Sequence, residues 1–378
     1  MFRFFFFFFS ILSLSVGAQK KFGCLNEKGE LLFRIEAEHA ADFSGGMARV
    51  QMLSNNQWRY GYIDTTGKLV IQPQFEKASD FRDGVAWIKV PGGDFQMINT
   101  NGKIISKKSY KKVGIFFEGM CSVYEGLNMG FVNNSGEEII PCKYAGDPAF
   151  SEGLVCVTLA ESAVESYGFL NKKGEVVIPF KFKQGGFSGF RNGEARVQVN
   201  GKTCLINTKG EVVFTPKLAT NMEHFTNGLA LAYTKPNRKG FGFFNRENQW
   251  VVRPIYDNAT SFENGFSIVE MNGQKGVIDT TGKIIIPLKY QSIYANAITD
   301  GYFACEQGNK REYLNAKGLP VTTVAVDYLL SAKGHLLMPY KSSENGKMGY
   351  LNRNGEIIIK ADYEKAASFS EGKAWVII

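Results

Sequence analysis

One four-residue signal, Asn/Asp-x-x-Gly, recurs along the chain and constrains its fold more than any other feature. It stands at residues 26–29, 64–67, 99–102, 133–136, 171–174, 207–210, 279–282, 315–318 and 352–355. A tenth copy at 245–248 ends in Asn248, and Asn is the next best residue after Gly for a positive φ. The mean spacing is about 36 residues, the mark of a tandem array. An Asn or Asp that opens a turn bonds its side chain to the backbone two residues on, and Gly suits the fourth position. The flanks of the signal read as strand: Tyr60-Gly61-Tyr62-Ile63 and Tyr167-Gly168-Phe169-Leu170 before it, Lys68-Leu69-Val70-Ile71 and Glu175-Val176-Val177-Ile178 after it. Each unit therefore opens with a β-hairpin.

Three further offsets complete the unit. Pro follows the second strand as Pro73, Pro141, Pro179, Pro216, Pro254 and Pro287, and a residue without an N–H suits a strand end. The eleventh residue after the Asn/Asp is aromatic at Phe75, Tyr110, Tyr144, Phe182, Tyr256, Tyr290 and Tyr363, which predicts a core position facing the next unit. Ala37, Leu218 and Val326 fill that slot elsewhere. A second turn, Phe-x-x-Gly, stands at 43–46, 81–84, 116–119, 150–153, 190–193, 225–228, 262–265 and 369–372, with degenerate copies at 298–301 and 331–334. An alternating strand comes after it, as in Val85-Ala86-Trp87-Ile88-Lys89-Val90. The expected fold is all-β: about ten three-stranded antiparallel units in a tandem array. Their approximate limits are 20–57, 58–92, 93–126, 127–164, 165–200, 201–238, 239–272, 273–308, 309–345 and 346–378. Propeller blades carry four strands in roughly 40–45 residues. Three strands in a shorter unit favour an open superhelix or solenoid, with a closed propeller-like ring as the alternative. An open array needs polar ends. The last segment, Ala374-Trp375-Val376-Ile377-Ile378, is apolar and speaks for the ring.

This unit resembles the WG repeat of bacterial secreted and surface proteins. Residues 60–90 carry the likeness best: Gly61-Tyr62-Ile63-Asp64, Gly67-Lys68-Leu69-Val70-Ile71, Pro73 and Phe75, then Phe81, Gly84 and Ala86. The Trp-Gly dipeptide itself is missing. Its Trp slot holds Phe22, Tyr60, Phe95, Met129, Tyr167, Thr203, Phe241, Lys275, Arg311 and Met348. Its Gly slot is lost at Gln96, Cys204 and Glu312, so units three, six and nine depart most, and unit nine also lacks the aromatic eleven on. The resemblance implies an all-β binding or structural array and implies no reaction.

Residues 1–18 read as a signal peptide. Arg3 precedes an apolar run, and Val16 and Ala18 are the small residues before a cut at Ala18-Gln19. The run of about 13–15 apolar residues is short of the ~20 that span a bilayer, which argues against an uncleaved anchor. Gln19 at the cut excludes a lipoprotein Cys, and no later stretch is long enough to span. The expected location is secreted or periplasmic. Loss of Arg3 lowers the formal charge from +8 to +7, too little for a nucleic-acid partner. The densest basic cluster, Lys107, Lys108, Lys111 and Lys112, reads as the flank of an edge strand.

The chemistry-bearing residues point away from catalysis. Cys24, Cys121, Cys142, Cys156, Cys204 and Cys305 form no C-x-x-C, and His39, His224 and His335 are isolated, so no metal site is expected. The cysteines read as small buried hydrophobes, with pairing across neighbouring units as the alternative. Gly-x-Ser-x-Gly has a near miss at 185–189 that falls in a repeat turn, and no P-loop or His-Glu-x-x-His occurs. Glu36, Glu38 and Asp42 around His39 read as solvated charge. Asp64 and Asp279 read as turn residues rather than calcium ligands. Trp58, Trp87, Trp250 and Trp375 would pack between units rather than bind ligand. No catalytic, cofactor-binding or metal-ligating residue is expected, and no cofactor. The functional expectation is a monomeric, non-catalytic repeat protein of the bacterial envelope that presents a surface to protein or glycan. The alternatives are a purely structural envelope protein and a hydrolase-like enzyme on a propeller-like scaffold.

Overall fold

The structure, a computed structural model, describes residues 19–146, 148–160, 166–183, 189–235, 239–294, 301–308, 310–322 and 326–378. The signal peptide expected at 1–18 lies outside them. Every regular element described is a strand, in antiparallel sheets of three or four and one of seven. The seven-stranded sheet is two units joined by the pairs Tyr144↔Leu159 and Ala145↔Thr158. Counting it as two gives ten sheets, the number of repeats the turn signal predicts.

A representative sheet takes His39–Ala40, Met47–Ser54, Gln57–Asp64 and Leu69–Phe75 in that order. Its long strand Met47–Ser54 comes from the end of one sequence unit, and the hairpin beside it opens the next. The sheets are therefore offset from the sequence units by one strand. That offset leaves the first hairpin, Lys20–Asn26 and Leu31–Ala37, without a preceding strand and the last strand, Lys373–Ile377, without a following hairpin, and they join in one sheet. Lys20–Asn26 runs antiparallel to Lys373–Ile377 through Phe22↔Ile377, Gly23↔Val376, Cys24↔Trp375, Leu25↔Ala374 and Asn26↔Lys373. The array closes on itself, the arrangement the ring alternative expects and the open superhelix does not. Ten apolar clusters sit one at each contact between neighbouring sheets, all the way round. The apolar C-terminus needs no polar cap, because Ala374, Trp375 and Val376 are buried in the seam.

The turn signal works as its residues dictate. In nine copies the Asn/Asp Oδ1 accepts the backbone N–H groups two and four residues on, as at Asn171 from Lys173 (3.0 Å) and Glu175 (3.0 Å). The side chain four residues on matches the opener in most copies, Lys103 after Asn99 and Leu319 after Asn315 being the exceptions. Asn has an N–H to give, and Asn171 Nδ2 donates to Glu175 Oε2 at 2.7 Å, a contact repeated at Asn26, Asn133, Asn207 and Asn352. Asp has none. Asp64 and Asp279 instead accept from Thr66 and Thr281 hydroxyls at 2.6 Å, and Lys68 and Lys283 take the Glu position. Those hydroxyl bonds, with the backbone N–H groups, hold both carboxyls below the usual aspartate range. The expected result of Asn171→Asp is a loss of about 1 kcal/mol at pH 7, since a donor becomes a second carboxylate beside Glu175. The loss shrinks as pH falls and either carboxyl is protonated. Denaturant midpoints across pH measure it, and Asn171→Asp/Glu175→Lys should restore stability.

The Gly slot has a different cause. A Cβ on Gly61 would lie 2.5 Å from Ile71 O and 2.8 Å from Pro73 N, and Gly130, Gly168, Gly242, Gly276 and Gly349 meet the same backbone crossing. There Leu69–Phe75 bulges over Gln57–Asp64: pairing jumps from Tyr62↔Ile71 to Tyr60↔Phe75. Pro73, Pro141, Pro179, Pro254 and Pro287 stand inside that bulge, within the strand, and not at its end as the sequence suggested. A bulge leaves an N–H unpaired, which is where a strand tolerates Pro. Gln96, Cys204 and Glu312, spaced 108 residues apart, lack the Gly. Their sheets are three-stranded, and among the described residues the outer strand shrinks to Val212–Phe214 or to isolated bridges such as Ile98↔Ile104 and Leu314↔Pro320.

Aromatic pairs lock sheet to sheet. Tyr62–Phe81, Phe131–Phe150, Phe169–Phe190 and Tyr350–Phe369 meet edge to face with centroids 4.7–5.1 Å apart. Each pair adds about 0.5–1.5 kcal/mol beyond its buried area. The eleventh-position aromatics are core residues, except that Tyr363 is half-buried. Tyr110 and Tyr290 donate hydroxyls onward to Glu138 (3.3 Å) and Glu312 (2.6 Å) of the next unit.

Candidate functional site

Antiparallel pairing sends both Gly turns to one end of the sheets and the hairpin loops, such as 54–57, 125–128 and 271–274, to the other. The turn face is bound up with itself. Glu118 spans two turns, its Oε1 accepting Glu152 N–H at 2.6 Å and its Oε2 Gly153 N–H at 2.9 Å. Glu152 does the same to Asn192 and Gly193, and Glu371 to Gly45 and Gly46 across the seam. Ser44, Ser151 and Ser370 hydroxyls donate to the backbone of Phe81, Phe190 and Phe43.

The residues weighed from sequence are spent in the same way. Glu38 pairs with Lys20 at 2.8 Å and Asp42 with Lys333 at 2.7 Å, while His39 is exposed. Lys108 reaches Glu125 and Glu138 of the adjoining sheet, and Lys112 begins the edge strand Lys112–Phe117. Trp87 and Trp375 are buried between units, Trp375 Nε1 donating to Ala41 O at 2.9 Å; Trp58 and Trp250 are half-buried. The six cysteines are free. Burial pushes Cys24 and Cys142 up to about 11 and Cys121, Cys156 and Cys305 to about 12, so these thiols stay protonated at neutral pH. Burial, then the Arg196 charge, pushes His224 down to about 4 and keeps it neutral. Residues 185–188 of the Gly-x-Ser-x-Gly near miss lie outside the described residues.

One groove carries chemistry the sequence did not single out. It opens between the sheet ending in Trp250–Tyr256 and the sheet containing Phe266–Met271, with a volume of ≈ 610 Å³. Three carboxylates line it: Glu223, Asp257 and Glu270. Glu223 is paired with Arg196, and Asp257 Oδ2 accepts Asn272 N–H at 2.7 Å. Asn258, Thr260 and Ser261 add amide and hydroxyl groups. Tyr233 and Phe241, with centroids 5.5 Å apart, form the apolar wall. Oxygen acceptors beside aromatic rings can hold a hydroxyl-rich ligand: hydroxyls donate to the carboxylates, and apolar C–H faces lie on the rings. Asp257 holds the slot after the eleventh-position aromatic, which is acidic also at Glu38, Glu76, Asp327 and Glu364, whereas Glu223 and Glu270 stand at positions that vary between repeats, so no local motif marks the three together. A second groove, ≈ 520 Å³ and lined by Phe117, Pro148, Phe150 and Tyr167, is mainly apolar.

The fold and these sites define a class: a closed all-β repeat array whose repeated polar groups hold turns and neighbours together. A model of the family "WG containing repeat" matches residues 22–58, 60–92, 97–126, 129–159, 167–202, 205–233, 241–274, 276–310 and 348–378. The chain belongs to the WG-repeat family. The unmatched stretch, 311–347, coincides with the unit that departs most in sequence. No curated protein matches the chain. Among solved structures, a eukaryotic initiation factor is similar at 11% identity and TM-score 0.47, covering 95% of this chain and 98% of that one. BamB from Moraxella catarrhalis is similar at 11% identity and TM-score 0.27, covering 77% and 87%. The extracellular domain of the hybrid two component system BT3049 from B. thetaiotaomicron gives 11% and 0.25, covering 92% and 62%. These are distant likenesses and nothing about this chain is drawn from them. Among the described residues, no helix is long and apolar enough to cross a membrane.

Proposed function

We propose that this chain is a non-catalytic WG-repeat scaffold that acts as a monomer outside the cytoplasm, after removal of residues 1–18, and binds glycan in the envelope. The observation that carries the glycan reading is the groove of Glu223, Asp257 and Glu270 beside Tyr233 and Phe241. Its carboxylates serve as acceptors in this reading: Glu223 is already neutralised by Arg196, and Asp257 is held by a backbone N–H. The apolar run at 1–18 supports export. The test is a glycan array probed with the mature chain and with Glu270→Gln and Tyr233→Ala. Binding that both substitutions weaken about tenfold supports the reading, since each removes one hydrogen bond or ring contact. Unchanged binding in both variants, or none to any glycan, overturns it. The enzyme alternative is tested on the same samples: glycan cleavage lost in Glu270→Gln would replace the binding reading by a hydrolase.

A further inference from the structure

The turn-to-turn clasps fill only some of the turns: besides the turn of Asp83 and Gly84, those of Glu118 and Gly119, Asn227 and Gly228, and Glu371 and Gly372 have no N–H partner among the described residues. Each Phe-x-x-Gly turn places two successive residues at positive φ, so two backbone N–H groups point the same way, a nest suited to an anion. Three nests hold a carboxylate from the preceding turn, one oxygen per N–H. Glu118 fills Glu152 and Gly153, Glu152 fills Asn192 and Gly193, and Glu371 fills Gly45 and Gly46, at 2.6–3.0 Å. The nest of Asp83 and Gly84 has the same shape, with φ of 51° and 79° against 52° and 78° at Glu152 and Gly153. The residue that would fill it is Gly45, which has no side chain. Among the described residues, neither N–H has a hydrogen-bond partner. Arg82, in the same turn, has no carboxylate partner among them either. It lines a cavity of ≈ 210 Å³ with Arg49 and Asp80, which pair with each other at 3.0 Å. Asp83 and Arg82 are the charges that this turn itself carries.

We propose that the turn at Asp83 and Gly84 is an open carboxylate-binding site, which takes from a partner the group that Glu118, Glu152 and Glu371 supply within the chain. The carboxylate is bound through both oxygens by the Asp83 and Gly84 N–H groups, with Arg82 beside it. This adds a contact of defined chemistry on the turn face and is independent of the groove: a nest that binds nothing leaves the glycan reading standing, and the reverse holds. The experiment is a titration of the ¹⁵N-labelled mature chain with sodium acetate, against sodium chloride at equal ionic strength, followed at the Asp83 and Gly84 amides. The expected result is a saturable acetate-specific shift at those two amides, with Gly153 and Gly193 unmoved. Gly45→Glu supplies the missing side chain and should weaken acetate binding about tenfold or more, because its carboxylate acts at high effective concentration. Gly45→Lys, with Lys333 at φ 50° as precedent for that backbone, should leave the titration intact. A peptide with a free C-terminus and a C-amidated peptide with one internal Glu identify the source: response to either supports the site. No acetate-specific shift in the wild-type chain, or an undiminished one in folded Gly45→Glu, overturns it.

Discussion

Gly61→Ala destabilises the protein by about 3 kcal/mol or more, as an overpacked site with nowhere to relax does. The added methyl meets Ile71 O at 2.5 Å, Pro73 N at 2.8 Å and Gln72 C at 3.0 Å, all backbone atoms. They cannot retreat without breaking Tyr62↔Ile71 or Tyr60↔Phe75, the pairs on either side of the bulge. Gly23→Ala is the matched control. It occupies the same slot in a sheet where pairing runs straight through Phe22↔Ile35, Gly23↔Arg34 and Cys24↔Phe33. Its methyl meets Leu31 Cδ1 at 2.8 Å and Ile378 Cδ1 at 2.9 Å, the far ends of flexible side chains. Moving those ends off their rotamers costs about 1 kcal/mol. Urea midpoints with unchanged slopes report the comparison. Equal losses in the two variants would refute the crossing as the reason the slot holds Gly.

The same slot shows what the sequence could and could not say. The turn signal was legible because Asn171 and Gly174 act on backbone within five residues of themselves. The aromatic eleven residues after the Asn/Asp was legible as core for a similar reason, being fixed in spacing to that turn. The Gly slot was visible as a recurring letter, but its cause was not. Gly61 has no positive φ, and its constraint comes from a strand that bulges ten residues further on. Pro73 misled in the same way, since a bulge inside a strand and the end of a strand both free an N–H. The offset between sequence unit and sheet was invisible because a repeat has no intrinsic start: nothing local tells whether Met47–Ser54 belongs with the hairpin before it or the one after. Closure is a consequence of that offset. Its trace in the sequence was the apolar Ala374-Trp375-Val376, which demands a cover, and the cover lies at the other end of the chain. The groove of Glu223, Asp257 and Glu270 was not legible as a site, because the slot of Asp257 is acidic in half the units while Glu223 and Glu270 occupy repeat positions where most units carry something else.

The seam gives the second large effect, and two equivalent tryptophans separate local packing from closure. Trp87 and Trp375 hold the same repeat position and are both buried, with Trp87 Nε1 on Cys121 Sγ at 3.2 Å and Trp375 Nε1 on Ala41 O at 2.9 Å. Truncating either to Ala costs about 3–5 kcal/mol in lost packing. The two losses act on differently tethered sheets. The sheet of Trp87, Val85–Lys89, is tied to its neighbours by the chain itself on both sides. The sheet of Trp375 is joined across the seam by the five pairs from Phe22↔Ile377 to Asn26↔Lys373, the Phe22, Phe33 and Phe43 rings around Trp375, and the Glu371 clasp, all non-covalent. Opening there releases both termini, and a region that gains chain freedom on opening is the one that opens first. In Trp375→Ala, amide hydrogen exchange within Lys20–Asn26 and Lys373–Ile377 therefore speeds up well before the rest of the ring exchanges. In Trp87→Ala the same strands stay protected until global unfolding. If Trp87→Ala exposes its own sheet as readily as Trp375→Ala exposes the seam, the ring opens at any weakened interface and the termini hold no special place in its stability.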